Sequence, residues 1–125
     1  MVETETTEAG GIYCPVAATM DLLNEKWTLH ILRELMHGRC RFNELSRALG
    51  AVSSRTLCCR LRSLEEEGIL TREVKHTIPP WTEYELTEKG RALNAVIDSI
   101  VAWGRTYMAD RMKCCPGSPD TPQCD

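Results

Sequence analysis

The segment at residues 53–70, SSRTLCCRLRSLEEEGIL, limits the fold of this chain more than any other. When it is placed on a helix at 100° per residue, its leucines share one side, as residues of a core-facing stripe do. The opposite side carries two basic residues and a thiol, namely Arg55, Cys59 and Arg62. Gly68 is a typical helix-ending residue. The segment therefore predicts a helix that buries one edge and exposes a basic, thiol-bearing edge.

Three further helices are predicted upstream. The first begins at about Pro15, a residue type favoured at the first helical position. The second, KWTLHILRELMHG, has apolar residues at helical spacing and ends at Gly38. The third, RFNELSRALG, ends at Gly50. The letters AVSS that follow leave room for a tight connection, in which Ser53 or Ser54 is the N-cap of the next helix.

A β-hairpin is predicted after these helices. Residues 70–77 alternate in side-chain character as a half-buried strand does, and Tyr84 and Leu86 lie in a β-prone return strand. The letters IPPW form the tip between the two strands. Helix, turn, helix and hairpin in this order predict a winged helix-turn-helix.

The segment TEKGRALNAVIDSIVAWGRTYMADRM is predicted to form one long helix, with Thr87 as its N-cap. Its apolar residues cover more than one stripe, which a small domain does not bury alone. The first helix carries Val16 and Met20 and is expected to join the same surface. The predicted fold class is therefore mainly α with a small β-hairpin wing, forming a homodimer through the terminal helices.

The two ends of the chain differ in composition from its middle. Glu3, Glu5 and Glu8 precede the first helix, and Asp120 and Asp125 lie in a segment rich in cysteine and proline. Without these five carboxylates the formal charge of −3 becomes +2, which is compatible with one DNA-facing surface. We expect a disordered N-terminus, a winged helix-turn-helix domain with its dimerisation helices and a flexible tail, at residues 1–12, 13–112 and 113–125.

No apolar run in the sequence has the length that crosses a bilayer, and the N-terminus lacks a basic region followed by an apolar one. These features favour a cytoplasmic protein without a membrane partner. The seven cysteines are an odd number, and a reducing compartment argues against a disulfide framework.

The exposed edge of the helix at residues 53–70 has the chemistry of a DNA-reading surface. Side chains in the N-terminal half of such a helix reach base edges in the major groove. The candidates here are Ser53, Ser54, Arg55, Thr56 and Cys59, with Arg55 the best candidate for a guanine contact. Arg60 and Arg62 are predicted phosphate contacts, which position the protein without reading sequence. The hairpin tip is predicted to reach the backbone or the minor groove through Lys75 and His76.

Five motifs lie within roughly residues 13–105: CPV before the first helix, KW at the second, RFNEL, the LxxRLxxLEExG run and the PPxxEYxLTxxG wing. Together they resemble the HxlR-type winged helix-turn-helix regulators. The resemblance implies a bacterial or archaeal transcription regulator that binds DNA as a homodimer. Several members sense electrophiles or oxidants through the cysteine of the CPV motif, here Cys14. The pair Cys58 and Cys59 departs from relatives, which often carry other polar residues there.

Cys14 is also a candidate sensor on physical grounds. It occupies the predicted N-cap of the first helix, where unpaired N–H groups and the macrodipole stabilise a thiolate. A thiolate at this position would react with a small oxidant or electrophile. The alternative is a small residue that caps the helix and takes part in no chemistry.

These patterns together predict a sequence-specific DNA-binding regulator, expected to be a repressor, that acts as a homodimer on an inverted-repeat operator. A winged-helix module that binds proteins instead of DNA is one alternative. Another is a thiol- or metal-responsive protein using the C-terminal cysteines Cys114, Cys115 and Cys124. We expect no enzymatic activity, no cofactor and no metal site. The sequence has no CxxC pair, no base beside a cysteine and no glycine-rich phosphate loop.

Overall fold

The computed structural model describes residues 14–111 and confirms the order helix, turn, helix, hairpin. The helices are α1 (Pro15–Leu23), α2 (Thr28–Leu35), α3 (Phe42–Leu49), α4 (Ser54–Glu66), α5 (Glu88–Arg91) and α6 (Asn94–Tyr107). The strands are β1 (Cys40–Arg41), β2 (Leu70–Lys75) and β3 (Trp81–Leu86), and a 3₁₀ turn covers Ala109–Arg111. The predictions for residues 1–12 and for the tail at 113–125, including its three cysteines, lie outside the described residues.

One hydrophobic core connects the helices to the sheet. Leu57, Leu61 and Leu64 of α4 are at most 2% exposed, which confirms the predicted buried side of this helix. They share the core with Ile31 of α2 and Leu45 of α3, both fully buried. Because burial of each such side chain is worth about 1.5–3 kcal/mol, the core fixes how α4 is rotated about its axis.

Local signals set most of the helix ends. Pro15 begins α1, as predicted, and Gly50 and Gly68 follow α3 and α4 with φ angles of 72° and 76°. Glycine adopts this left-handed conformation at little cost. The second helix begins at Thr28, one residue after the KW pair, because Trp27 itself has a φ of 81° and precedes the first helical turn.

The sheet has one strand more than the predicted hairpin. β1 pairs antiparallel with β3, and the strand order is β1-β3-β2. The added strand is only two residues long, with Cys40 opposite Tyr84 and Arg41 opposite Glu83. A pair of residues shows no periodicity, so this strand depends on the tertiary position of the α2–α3 connection and not on a local pattern.

The predicted alternation along residues 70–77 is wrong beyond the base of the hairpin. Leu70 is buried, but Arg72, two residues later, is exposed. The strand ends at Lys75, and the residues that follow are exposed. The core covers only the first part of the hairpin, at Leu70, Tyr84 and Leu86, so the rest of β2 projects from the core.

The prediction of one long C-terminal helix is also wrong, although its N-cap is confirmed. Thr87 Oγ1 accepts a hydrogen bond from the Gly90 N–H at 3.1 Å and lies 2.6 Å from the Gly68 carbonyl oxygen. A Cβ at Gly90 would overlap the carbonyl oxygen of Ile69. These contacts tie α5 to the start of β2. The helix is interrupted after Arg91, and α6 packs its inner side against α2.

None of the helices between residues 14 and 111 is both long and apolar enough to span a membrane.

Candidate nucleic-acid interface

Ser53 is the N-cap of α4, one of the two predicted positions for the cap. Its Oγ accepts a hydrogen bond from the Thr56 N–H at 3.1 Å and donates one to Thr56 Oγ1 at 3.0 Å. A serine cap of this kind stabilises a helix by about 1 kcal/mol. The hydroxyls of Ser53 and Thr56 thus hydrogen-bond to each other, and Ser53 also accepts a hydrogen bond from an N–H of the first turn. Ser54 is the first residue of the helix and is exposed.

The edge of α4 opposite the buried leucines is exposed, as predicted. It carries Arg55 in the first turn, Cys59 in the second and Arg62 in the third. Within residues 14–111 no carboxylate lies within 4.0 Å of the guanidinium groups of Arg55 and Arg62, so their charge is not offset by an ion pair. This is the arrangement that an anionic partner requires.

Arg60 lies on the flank of α4 and has a different environment from the other predicted contacts. Its Nε donates a hydrogen bond to the Lys26 carbonyl at 2.8 Å, and its guanidinium lies 3.4 Å from Glu25 Oε1. The side chain is 23% exposed. Arg60 therefore links α4 to the turn between α1 and α2. The geometry favours this structural role over the predicted phosphate contact.

The wing contains a network of ion pairs around Glu83. Arg39 contacts the Glu83 carboxylate at 3.2 Å and that of Glu85 at 3.1 Å. Lys75 lies 3.3 Å from Glu73 and 3.9 Å from Glu83. The Trp81 indole N–H donates to Glu83 at 2.9 Å, and with Arg39 and Lys75 it lowers the pKa of that carboxyl. The predicted wing contact Lys75 is thus already paired, whereas His76 is exposed.

Two further arginines, which the sequence patterns did not indicate, lie on the sheet: Arg41 on β1 and Arg72 on β2. The Arg41 guanidinium stacks over the Trp81 ring, 3.9 Å from its centroid. Arg72 lies opposite Tyr84 in the β2–β3 register and is exposed. Burial raises the pKa of Tyr84, and the Arg72 guanidinium beside its hydroxyl acts in the opposite direction. Alternation along the strand did not indicate Arg72 as a contact, because its spacing from Leu70 assigns it to the core side of the strand.

Arg62 and Arg72 line opposite sides of a cleft between α4 and the sheet. The cleft has a volume of about 420 Å³, and its lining includes Cys58, Glu65, Phe42 and Tyr84. The structure therefore brings the third turn of α4 and the middle of β2 together around one concavity, which we call the helix–wing cleft. It does not bring Arg60 or Lys75 to this cleft.

Cys14 occupies the N-cap of α1, as predicted. Its Sγ is 3.4 Å from the Ala17 amide nitrogen and accepts that hydrogen bond, and the residue is half-buried. Burial, with Glu44 and Glu34 nearby, raises the pKa of the Cys40 thiol. Cys58 and Cys59 are exposed on α4. Across residues 14–111 no group of three histidine, cysteine or acidic side chains has an arrangement that could hold a metal ion.

An apolar stripe on α6 faces away from the core. Its residues recur every three or four positions, so they share one side of the helix. They are Val96, Ile100, Trp103 and Tyr107, at 40%, 48%, 58% and 69% exposure. Val16 and Met20 of α1 are also exposed, and both α1 and α6 pack against α2. The second stripe predicted for the C-terminal helix is therefore present, while Ile97 and Val101 contact the core.

Comparison with known proteins gives consistent matches. A family model described as HxlR-like helix-turn-helix matches residues 22–112. The HTH-type transcriptional regulator YdeP of Bacillus subtilis is 42% identical over 94 residues, which are 75% of this chain and 73% of YdeP. The redox regulator HypR in its reduced form has a TM-score of 0.72 at 36% identity, covering 79% of this chain and 100% of that one. The reduced form of the transcriptional regulator YodB from B. subtilis has a TM-score of 0.69 at 34% identity. The match covers 80% of this chain and 99% of the YodB chain.

The environments of Arg60 and Arg62 predict different effects on stability. Arg60→Met keeps an apolar stem but removes the hydrogen bond to Lys26 and the ion pair with Glu25, so we expect the free energy of unfolding to fall by about 1–2 kcal/mol. The control Arg62→Met, on the same helix but without such contacts, should change it by less than about 0.5 kcal/mol. Urea unfolding at one protein concentration measures both. Equal midpoints for the two variants would contradict the structural role of Arg60.

Proposed function

The chain belongs to the HxlR-like helix-turn-helix family of transcriptional regulators, and we propose that it binds DNA sequence-specifically as a homodimer and represses transcription. The observation that carries the proposal is the exposed edge of α4, where Arg55 and Arg62 stand opposite the buried leucines without ion-pair partners among residues 14–111. We assign these functions to the unit at residues 13–112.

The position of each arginine suggests its role on the duplex. An α-helix fits the major groove, and Arg55, in the first turn of α4, is the residue that would reach a guanine edge. Arg62 lies seven residues further, about 10 Å along the axis, where the phosphate strand borders the groove. Arg72, across the helix–wing cleft, would contact the same strand from the wing. This adds a phosphate contact to the set inferred from sequence.

The other predicted contacts are exposed to different degrees. Ser54, Cys59 and His76 are exposed and remain in the proposed contact set. The hydroxyls of Ser53 and Thr56 form a hydrogen bond with each other. Each would therefore contact DNA only through the donor or acceptor positions that this bond leaves unused. To contact DNA, Lys75 would have to give up its ion pair with Glu73 and form one with a phosphate instead.

Dimerisation would cover the apolar stripe of α6 together with α1. A second copy of this chain fits that surface, because a two-fold axis brings the same stripe from both subunits together. Trp103 and Tyr107, with ring centroids 5.4 Å apart, supply the largest apolar area. A two-fold dimer would read an inverted repeat whose half-sites are about 10 bp, or a multiple of 10 bp, apart between centres.

Cys14 is proposed as the site of regulation by a small oxidant or electrophile. It begins α1, and the exposed Val16 and Met20 follow within the same helix. Modification of its sulfur would remove the hydrogen bond from Ala17 and disturb the end of a helix in the proposed dimer interface. HypR, a structural relative, is described as a redox regulator.

DNA recognition by Arg55 is tested on an operator selected by the wild-type protein from a randomised duplex pool. Arg55→Ala should weaken binding to that operator by ~1–3 kcal/mol while leaving the affinity for a scrambled duplex nearly unchanged. Arg62→Met should weaken binding to the two duplexes by the same factor. It should also reduce the slope of the log binding constant against the log salt concentration by about 1. Fluorescence anisotropy gives both quantities. A pool in which the wild-type protein enriches no sequence would contradict the proposal.

Dimerisation is tested by placing a charge on the apolar stripe. Trp103→Glu would bury two carboxylates per dimer, so we expect the dimer dissociation constant to rise at least ten-fold, or about 1.4 kcal/mol. Ala102→Glu, on the polar side of the same helix, is the matched control and should leave it unchanged. Sedimentation velocity over a concentration series measures both variants. Identical dissociation constants would show that the stripe is not the interface.

Regulation through Cys14 is tested after replacing Cys58 and Cys59 by serine, so that thiols on α4 do not contribute. In this background diamide should weaken operator binding about ten-fold or more, since a shifted half-site spacing loses one half-site. Adding Cys14→Ser should abolish that loss. Dithiothreitol restores binding if the modification is a disulfide. Diamide sensitivity that survives Cys14→Ser would exclude Cys14 as the sensor.

A further inference from the structure

The helix–wing cleft holds a thiol as well as two arginines. We propose that Cys58 is a second modification site, at which anionic low-molecular-weight disulfides bind through Arg62 and Arg72 and form a mixed disulfide with its sulfur. The inference rests on the proposed DNA-binding function only for its consequence. The site itself depends on the geometry of the cleft and on thiol chemistry.

The cleft combines residues from α4, β2 and β3. Cys58 lies one helical turn before Arg62, so the two share one side of α4. Arg72 lies across the cleft on β2, beside Tyr84 of β3. Cys59, the next residue along α4, is also exposed but does not line the cleft. The two adjacent exposed thiols of α4 therefore differ in their surroundings: Cys58 lines the cleft with Arg62 and Arg72, whereas Cys59 lies on the exposed edge between Arg55 and Arg62.

The charge and size of the cleft define the class of ligand. Its lining carries two guanidinium groups and the carboxylate of Glu65, which leaves a net positive charge. Neither guanidinium has a carboxylate within 4.0 Å in the part of the chain that the structure describes. Arginine binds carboxylates through two parallel hydrogen bonds, and a volume of about 420 Å³ is in the range of small-molecule sites. A disulfide bearing carboxylates matches both properties.

The reaction is a thiol–disulfide exchange that needs no further oxidant. The Cys58 thiol loses its proton, and its sulfur attacks one sulfur of the bound disulfide. The sulfur–sulfur bond of the reagent breaks as the bond to Cys58 forms. The other half of the reagent leaves as a thiolate and takes up a proton equivalent to the one that Cys58 lost. A free thiol reverses the step.

The adduct would occupy the surface that is proposed to face DNA. It would fill the space between α4 and the wing and place carboxylates where a phosphate strand would pass. Steric exclusion and like-charge repulsion would both weaken DNA binding. This effect needs no movement of one subunit against the other, in contrast to regulation through Cys14.

The first experiment compares full-length variants that each retain one cysteine, either Cys58 or Cys59, with the other six replaced by serine. Oxidised glutathione is the anionic probe and cystamine the cationic one, and intact-mass spectrometry follows the mixed disulfide. The Cys58 variant should react with oxidised glutathione about ten-fold faster than the Cys59 variant, and cystamine should show no such preference. Arg72→Met should remove the preference. Equal rates at the two cysteines, or faster reaction of Cys58 with cystamine, would overturn the proposal.

Circular dichroism establishes that each variant is folded. If the serine replacements prevent folding, partial modification of the wild-type chain followed by tandem mass spectrometry gives the ratio of adducts at Cys58 and Cys59. A ratio near one in the native protein overturns the proposal. A ratio well above one that falls to one in 6 M guanidinium chloride supports it, because only the folded chain has the cleft.

The second experiment separates the site from its consequence. Operator DNA, bound before the reagent is added, should slow modification of Cys58, and the modified protein should lose at least ten-fold in operator affinity. Selective modification without loss of affinity would remove the regulatory consequence. Failure of the wild-type protein to bind any DNA would contradict the proposed function, whereas the mass measurement would still decide the Cys58 site.

Discussion

The burial of one leucine stripe determines how this molecule presents its chemistry. Leu57, Leu61 and Leu64 insert into the core, so α4 has a fixed rotation about its axis. A rotation by one residue would turn the helix by 100° and move charged side chains toward an apolar interior, at a cost that no surface contact would offset. The exposed edge with Arg55 and Arg62 is therefore a consequence of core packing.

The positive charge available to a partner on α4 and the wing depends more on which basic side chains form ion pairs with glutamates than on how many basic residues there are. Arg39 and Lys75 are held by glutamates of the wing, and Arg60 is held by Glu25 and the Lys26 carbonyl. These pairs stabilise the wing and the helix positions, but they leave little charge for a partner. Arg55, Arg62 and Arg72 have no such pair within residues 14–111, and they lie on the exposed edge of α4 and in the helix–wing cleft. A chain with a formal charge of −3 can thus present a locally basic surface.

Sequence patterns predicted the features of the fold that depend on residues close together in the chain. The periodicity of α4, the cap at Ser53 and the cap at Thr87 follow from spacing and side-chain chemistry within a few residues. The two-residue strand β1 and the exposure of Arg72 do not, because β1 depends on pairing with the distant strand β3 and the core covers only the base of the hairpin. Arg60 is an example. Its position in α4 predicted that it lies on the flank of the helix, but it did not indicate its partners, which lie 34 and 35 residues earlier in the chain.

The two proposed thiol sites differ in how a modification would reach the exposed edge of α4. Cys14 begins α1, so besides a shift of one subunit against the other, an effect on α4 within the same subunit would pass through the turn that follows α1. Arg60 supplies a direct link there, since the Lys26 carbonyl adjoins Trp27, whose left-handed conformation leaves that turn few alternatives. Cys58 needs no such link, because it lies in the cleft itself. A chain with both sites would couple one thiol to the spacing of two subunits and use the other to occlude each subunit separately.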